Sequence, residues 1–206
     1  MPGRPPHIRD DDILDAARDV FRERGFATTT AEIARHAGIS EGSIYYRFKT
    51  KEALVAALID RETQPPKVLG ELAARAGQGS LEANLTCLVS AVLGSVERGH
   101  PFFELLDASP MSFRVHALLR SHAHPPPTEI VALVGAYLRA EEALGRVRPV
   151  AHAVVGHAIF GACVDRVRSR RIGRHAPDDT AFVAGFVDLL YSGLAPPTAS
   201  VRSESP

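Results

Sequence analysis

The chain has 206 residues with 24 basic and 24 acidic side chains, and 45% of its residues are hydrophobic. This composition supports one or two packed domains and excludes an intrinsically disordered chain. The sequence has neither the roughly 20 uninterrupted apolar residues of a membrane span nor the N-terminal apolar run of a secretory signal, so we expect a cytoplasmic protein that contacts no membrane. Two cysteines are too few for a disulfide framework or a four-thiolate zinc site.

Glycine and proline residues divide the chain into segments of helical length. Convincing period-2 strands are absent, which predicts an all-α fold. The first helix is predicted from Asp10 to Arg24, because three aspartates lie in its first turn and Gly25 follows its last residue.

The next segments form two short helices in succession. Residues 29–32, with the sequence TTAE, have the pattern of a capping box, and Gly38 ends the helix that they begin. Ser40 is placed to cap a third helix over residues 41–48. Two helices of about two turns, joined by a short turn, predict a helix-turn-helix.

The remaining chain is predicted to be helical and more apolar. A fourth helix is predicted from about Lys51 to Thr63, and Pro65-Pro66 ends it. The later helices are predicted to begin after Ser80, at Phe102, at Ser112, after Thr128, at Val150 and at Asp178 or Asp179. The last of them ends at about Ser192.

A pattern of matched positions runs through and around residues 28–54. It comprises Thr28-Thr29, Ile33-Ala34, Ala37-Gly38-Ile39-Ser40, Gly42-Ser43-Ile44-Tyr45-Tyr46-Arg47-Phe48 and Lys51-Glu52-Ala53-Leu54, with Phe21, Gly25 and Phe26 upstream. This pattern resembles the DNA-binding domain of the TetR (tetracycline-repressor-like) family of bacterial regulators.

The resemblance implies a homodimer that binds double-stranded DNA. We expect a helix-turn-helix DNA-binding domain with an N-terminal arm over residues 1–48, a larger helical effector-binding and dimerisation domain over 49–195, and a disordered tail over 196–206. The expected function is sequence-specific transcriptional regulation by a repressor that a small-molecule effector, largely apolar, releases from a near-palindromic operator. No cofactor, metal ion or enzymatic activity is expected.

Candidate DNA contacts follow from the geometry of a helix whose N-terminal residues enter the major groove. They are Arg4, Thr29, Ser40, Glu41, Gly42, Ser43, Tyr45, Tyr46, Arg47 and Lys51. Gly42 lets the backbone approach the groove floor, and Lys51 lies at a helix N-terminus that attracts phosphate. Glu41 either accepts a hydrogen bond from cytosine N4 or complements its own helix dipole. Tyr45 either contacts DNA or packs on a neighbouring helix, and Arg4 either enters the minor groove or takes no part.

Two further sets of candidates lie in the larger domain. A mixed set of apolar, aromatic and histidine side chains is predicted to line an effector pocket: Leu88, Val92, Phe102, Phe103, Leu106, Met111, Phe113, His116, Leu133, Tyr137, His157 and Phe160. Most of them would serve equally well as core residues. Small and apolar residues of the last two helices are predicted to form the dimer interface: Val154, Ala158, Ile159, Gly161, Ala162, Phe182, Gly185, Phe186 and Leu189.

Two alternative functions remain open at this point. One is an effector-independent DNA-binding or interaction protein with the same fold, which a filled C-terminal core would favour. The other is a metalloenzyme based on the nine histidines. His152 and His157 are five residues apart, about 140° around a helix, so this pair does not share a face.

Overall fold

The computed structural model describes residues 9–121, 126–173 and 178–196, with side chains at all of them except residues 126 and 127. All regular structure within these ranges is helical, which confirms the all-α fold. The helices are α1 (Asp10–Arg24), α2 (Thr30–Ala37), α3 (Glu41–Phe48), α4 (Lys51–Glu62), α5 (Lys67–Ala74), α6 (Leu81–Asp107), α7 (Ser112–Arg120), α8 (Pro126–Ala143), α9 (His152–Arg171) and α10 (Asp179–Leu194).

The described residues of Met1–Gln64 and Glu97–Pro126 form a first compact unit, which holds α1 to α4, the C-terminal part of α6 and α7. Its core takes one apolar face from each helix: Ile13, Ala17, Val20, Phe21, Phe26, Ile33, Ala34, Ile44, Leu54, Leu58, Phe102, Leu106, Val115 and Leu119. Complete burial of each large side chain contributes about 1.5–3 kcal/mol. This core therefore holds the short helices α2 and α3, which at eight residues each are too short to be stable alone.

The described residues of Pro65–Val96 and Pro127–Pro206 form a second unit from α5, the N-terminal part of α6, α8, α9 and α10. Its core is separate and includes Leu69, Leu85, Leu88, Val92, Val134, Tyr137, Leu138, Ile159, Cys163, Val167 and Val187. Two buried charges are held by partners within this unit. Glu141 accepts a hydrogen bond from the Gly77 amide at 3.3 Å and lies 3.4 Å from Arg146 Nε, while Arg166 Nη2 lies 2.7 Å from Asp179 Oδ1.

The predicted first four helices agree with the structure. α1 and α3 have the predicted bounds, and α4 ends at Glu62 with Thr63 as its C-terminal cap. Asp178, one of the two predicted starts of the last helix, caps α10 by accepting from the Ala181 amide at 2.7 Å. These starts were predictable because capping bonds join residues only three positions apart.

Helix α5 was not among the helices predicted from the sequence, although Pro66 and Gly77 bound a segment of helical length. The eight residues of α5 bury only Leu69 and Leu72, so their periodicity gives a weak signal. Both side chains are almost completely inaccessible in the core of the second unit. Tertiary burial therefore decides this helix.

The predicted break at residues 99–101 is wrong, because α6 continues through it to Asp107. Pro101 removes one backbone donor and costs about 3 kcal/mol inside a helix. Burial of Val96, Phe102 and Leu106 offsets this cost at about 1.5–3 kcal/mol each. Gly99 does not form a turn. It allows the helix to pack closely against Thr63, because a Cβ at this position would lie 2.4 Å from Thr63 Cγ2.

Two other predicted helix starts shift. α8 begins at Pro126, so Thr128 lies inside the helix instead of capping it. α9 begins at His152, two residues after the predicted start at Val150. The first turn of a helix does not need backbone donors, so proline is tolerated there. The helix can therefore begin before Thr128.

The compact units do not divide at residue 48, because residues 97–126 group with the N-terminal helices. The assignment of DNA binding to residues 1–48, and of effector binding and dimerisation to residues 49–195, stays a prediction. Of the predicted tail over 196–206, all but Pro196 lies outside the described residues. None of the helices in the described part of the chain combines the length and the apolarity that crossing a bilayer requires.

Candidate nucleic-acid interface

The start of α2 is held by the predicted capping box. The Thr29 hydroxyl accepts from the Glu32 amide at 3.3 Å, and the Glu32 carboxylate accepts from the Thr29 amide at 2.9 Å. The hydrogen bond from the Thr29 amide lowers the pKa of Glu32 most, and the bond from the Thr29 hydroxyl lowers it further. Thr29 therefore has a structural role at this helix start.

The turn between α2 and α3 is a left-handed glycine followed by a serine cap. Gly38 has φ 69° and ψ 31°, a conformation that glycine adopts without steric cost. Ser40 Oγ then accepts from the Ser43 amide at 3.2 Å and lies 2.8 Å from Ser43 Oγ. Ser40 thus caps α3, and the Ser43 hydroxyl bonds the capping hydroxyl.

The N-terminal part of α3 presents an open surface. Glu41, Gly42 and Tyr46 are exposed, Tyr46 at 79%, while Ile44 packs into the core of the first unit. A Cβ at Gly42 would meet only Ser40 Oγ within 4 Å, at 3.8 Å. Nothing described in this chain requires a glycine at this position, the second residue of α3.

A buried hydroxyl ties α3 to α2. Thr30 Oγ1 donates to Glu41 Oε1 at 2.5 Å and lies 3.0 Å from the Tyr45 hydroxyl. The Glu41 carboxylate thus has an internal partner on α2 and lies in the first turn of α3, where it complements the helix dipole. Its contact with cytosine stays a prediction. For Tyr45, the structure shows the internal role, with the ring still 44% exposed.

Two cations expected to reach phosphates are held by the chain itself. Arg47 Nη1 pairs with Asp10 Oδ1 in the first turn of α1. Lys51 Nζ donates to the Phe26 carbonyl at 2.6 Å, and burial lowers the pKa of Lys51. Both side chains thus join α3 and α4 to other parts of the first unit. Their contacts with DNA stay predictions.

Lys49, which follows α3 directly, was not among the predicted DNA contacts. This exposed residue ends α3 with φ 63°, and its ammonium donates to the Tyr46 carbonyl at 2.6 Å and lies 5.1 Å from the centroid of the Tyr46 ring. It thus places a positive charge beside the most exposed aromatic residue of α3. A lysine directly after the predicted third helix was the available signal. Arg4, the remaining candidate, lies outside the described residues.

The predicted effector residues divide equally between the two compact units. Phe102, Phe103, Leu106, Met111, Phe113 and His116 lie in the first unit, and Leu88, Val92, Leu133, Tyr137, His157 and Phe160 in the second. Leu88, Val92 and Tyr137 are completely buried, whereas Phe113 is 80% exposed and His157 is also exposed. His116 pairs with Asp107 at 2.9 Å. Phe113 and His157 are therefore open to solvent in the single chain, and the effector assignment of the whole set stays a prediction.

The predicted dimer residues lie on α9 and α10, and most of them are accessible. Val154, Ala158 and Gly161 follow one face of α9 at intervals of four and three residues, and all three are exposed. On α10, Gly185 and Leu189 are exposed, and Phe182 and Phe186 stack with their ring centroids 5.7 Å apart. Ala162 is half-buried. Ile159 is an error of prediction, because it is completely buried in the core of its own chain.

The histidines do not assemble with other ligands in the described ranges. No group of three or more His, Cys, Asp or Glu side chains is placed to hold a metal ion among residues 9–121, 128–173 and 178–196. His152 pairs instead with Glu142 at 2.7 Å, and His157 bonds the Ala153 carbonyl at 2.8 Å.

Comparison with known proteins places this helix-turn-helix in a family. The family described as bacterial regulatory proteins, tetR family, matches residues 13–58. The chain is 31% identical over 140 residues to the uncharacterized HTH-type transcriptional regulator YvkB of Bacillus subtilis, a match that covers 66% of this chain and 67% of that protein. It is 44% identical over 55 residues to the HTH-type transcriptional repressor KstR2 of Mycolicibacterium smegmatis, across 26% of this chain and 27% of that one.

The fold extends the likeness over most of the chain. The crystal structure of a putative TetR-family transcriptional regulator from Mesorhizobium loti superposes with a TM-score of 0.75 at 17% identity, covering 91% of this chain and 96% of that one. The family model and the match to KstR2 are confined to about a quarter of the chain, whereas the likeness in fold covers 91% of it.

Proposed function

The chain belongs to the TetR family of bacterial regulatory proteins, and we propose that it represses transcription from a near-palindromic operator until a small-molecule effector releases it. It is a DNA-binding transcriptional regulator. Its relatives are regulators and not enzymes, and we place its action in the cytoplasm, where bacterial DNA lies. The observation that carries the proposal is the open N-terminal surface of α3 around Gly42 and Tyr46.

This surface suits the major groove in shape and rigidity. An exposed glycine permits close approach of the α3 backbone to base edges. The bonds of Thr30 to Glu41 and of Arg47 to Asp10 fix both ends of α3 against neighbouring helices. We infer that Gly42 and Tyr46 read the operator and that Lys49 contacts phosphate beside them, while Glu41, Tyr45 and Arg47 orient the helix.

Dimerisation supplies the second recognition helix. The exposed small-residue face of α9 and the exposed Gly185 and Leu189 of α10 support a surface on which two copies pack closely. Two recognition helices about 34–36 Å apart would read half-sites in successive major grooves. An effector then releases the operator by its differential affinity for the DNA-bound and the free conformations.

The first test is selection of bound DNA from a random duplex pool by the purified full-length protein. Enrichment of a near-palindrome is expected, and Tyr46→Ala should bind the selected duplex at least about tenfold more weakly, a loss of about 1.4 kcal/mol. Phe113→Ala is the matched control, since this aromatic side chain of the same unit is equally exposed but lies on α7.

The outcomes are distinct. A folded dimer that enriches no sequence would contradict the proposed function. Enrichment with unchanged affinity of Tyr46→Ala would keep the function and remove Tyr46 from the interface.

A further inference from the structure

The first unit contains a cleft of about 530 Å³ beside the helix-turn-helix. Three segments of this unit meet at it: the end of α1 with the turn to α2, the first turn of α4, and the stretch that joins α6 to α7. The residues that decide its chemistry are Arg24, Phe26, Glu52, Leu105, Met111 and Arg114. This volume lies within the range of roughly 300–1,000 Å³ that is typical of small-molecule sites.

The cleft combines apolar walls with an exposed guanidinium group. Phe26, Leu105 and Met111 supply apolar surface, while the second arginine of the lining, Arg24, lies 3.7 Å from both Glu23 and Glu32. Arg114 Nη1 donates to Glu52 Oε1 at 2.9 Å, and the Arg114 side chain is 77% exposed. An exposed ion pair of this kind contributes little to stability, so another carboxylate can replace Glu52 at Arg114 with little loss. Arginine is suited to this exchange because its planar fork binds carboxylates with two parallel hydrogen bonds.

We propose that this cleft binds a small carboxylate with an apolar body, and that the bound molecule lowers the affinity of the protein for DNA. The carboxylate pairs with Arg114, and the apolar body covers Phe26, Leu105 and Met111. This inference rests on the proposed function and assigns its effector a chemical class and a site in the first unit. The site differs from the predicted pocket, of whose residues only Met111 lines the cleft.

The walls of the cleft connect it to the DNA-binding surface. The Phe26 carbonyl accepts the hydrogen bond from Lys51 Nζ, and Glu52 follows Lys51 in the first turn of α4. Beyond Phe26, the chain continues through Thr29 and Thr30 into α2, which orients α3. A ligand that separates Arg114 from Glu52 therefore acts on the segments that hold α2 and α4 in place. Coupling of this kind is reciprocal, so bound DNA must weaken ligand binding by the same factor.

The chain provides its own probe of the cleft. It contains two methionines, Met1 and Met111, and Met111 lines the cleft. Protein labelled with ¹³C at the methionine methyl groups therefore gives two resonances, which Met111→Leu assigns. We would titrate the full-length protein with octanoate below its micelle concentration, and in parallel with octanamide, which has the same apolar chain without the charge.

Octanoate is expected to shift the Met111 resonance saturably, and octanamide to bind at least tenfold more weakly. Arg114→Gln should weaken octanoate binding at least tenfold. Arg120→Gln, which removes an equal charge from an exposed position on the same helix outside the cleft, should leave it unchanged. An unmoved Met111 resonance, equal binding of both compounds, or equal effects of the two substitutions would overturn the proposal.

The effect on DNA is measured separately with the selected operator duplex. Saturating octanoate should weaken operator binding at least threefold in the unsubstituted protein and in Arg120→Gln, but not in Arg114→Gln. Octanoate binding without any change in operator affinity would overturn the regulatory part of this inference and leave the DNA-binding function intact. Failure of the protein to bind any selected duplex would instead contradict the proposed function, whatever the Met111 resonance does.

Discussion

Thr30 is a buried threonine whose single hydroxyl joins two side chains of α3. Its partners, Glu41 and Tyr45, lie 11 and 15 residues further along the chain. Because Thr30 is in the first turn of α2, these bonds set the rotation of α3 about its own axis. The residues that hold α3 in place therefore differ from Gly42 and Tyr46, the residues proposed to touch DNA, although both kinds belong to one short stretch of sequence.

A substitution at Gly42 is expected to change stability and DNA binding in opposite directions. Gly42→Ala should raise the free energy of unfolding by about 0.5–1 kcal/mol, because alanine is the better helix former and the added methyl group meets ordinary contacts only. The same methyl group should weaken binding of the selected duplex at least about tenfold, or 1.4 kcal/mol, by keeping the backbone away from the groove.

Urea unfolding and duplex titration measure these two effects on the same sample. A variant that gains stability and keeps full operator affinity would show that the α3 backbone does not approach DNA closely at this position.

The ends of α2 and α3 show how much short helices depend on caps. Each has eight residues, so satisfied terminal amides count heavily. The longer α6 shows the opposite balance, since it runs through Pro101 where tertiary burial outweighs a local penalty. Local signals therefore decide the helix-turn-helix, and packing decides the long helix.

The capping box of α2 predicts how the stability of the fold depends on pH. A carboxyl whose pKa is lowered by folding stabilises the folded state above its unfolded pKa, and this contribution disappears as the pH falls through the folded pKa. For Glu32 the loss should therefore occur below the usual value of 4.5. Glu32→Gln should be less stable than the unsubstituted protein at neutral pH, and the difference should shrink as the pH falls below 4.5.

Unfolding by urea between neutral and acid pH measures that difference. Glu23→Gln is the control, since this nearby carboxylate lies 3.7 Å from Arg24 and caps no helix. A difference for Glu32→Gln that stays constant across the acid range would show that its carboxylate does not act as a cap.

At the scale of the whole molecule, the described chain has two separate apolar cores, and α6 contributes residues to both. Cys163 lies completely inside the core of the second unit, and burial raises its pKa to about 12. Cys87 is half-buried. The two thiols therefore differ in solvent accessibility, although both lie in the second unit.

A thiol reagent at mildly alkaline pH should modify Cys87 well before Cys163, because the thiolate is the reactive form and Cys163 is both inaccessible and protonated. Mass spectrometry of the two cysteine-containing peptides over time measures both rates. The Cys163 rate should rise with urea in step with the loss of helicity, since its modification requires opening of the second unit. Equal rates for both thiols in the native protein would contradict the packing of this core.

The sequence by itself determined the all-α fold, the helix-turn-helix, its caps and its family. These features depend on interactions between residues three or four positions apart, such as Thr29 with Glu32 and Ser40 with Ser43, which a sequence displays directly. The glycine at position 38 is equally local, because only the conformation of one residue requires it.

Only the tertiary structure decided which polar side chains of the first unit have distant partners within the chain. Arg47 pairs with a residue 37 positions away, Lys51 with a carbonyl 25 positions away, and Glu52 with an arginine 62 positions away. Each partner is brought close by the packing of different helices around the core of the first unit, and the spacing of residues along the chain does not show that packing. The same reason explains the burial of Ile159, the exposure of Phe113 and the cleft between segments that are distant in sequence.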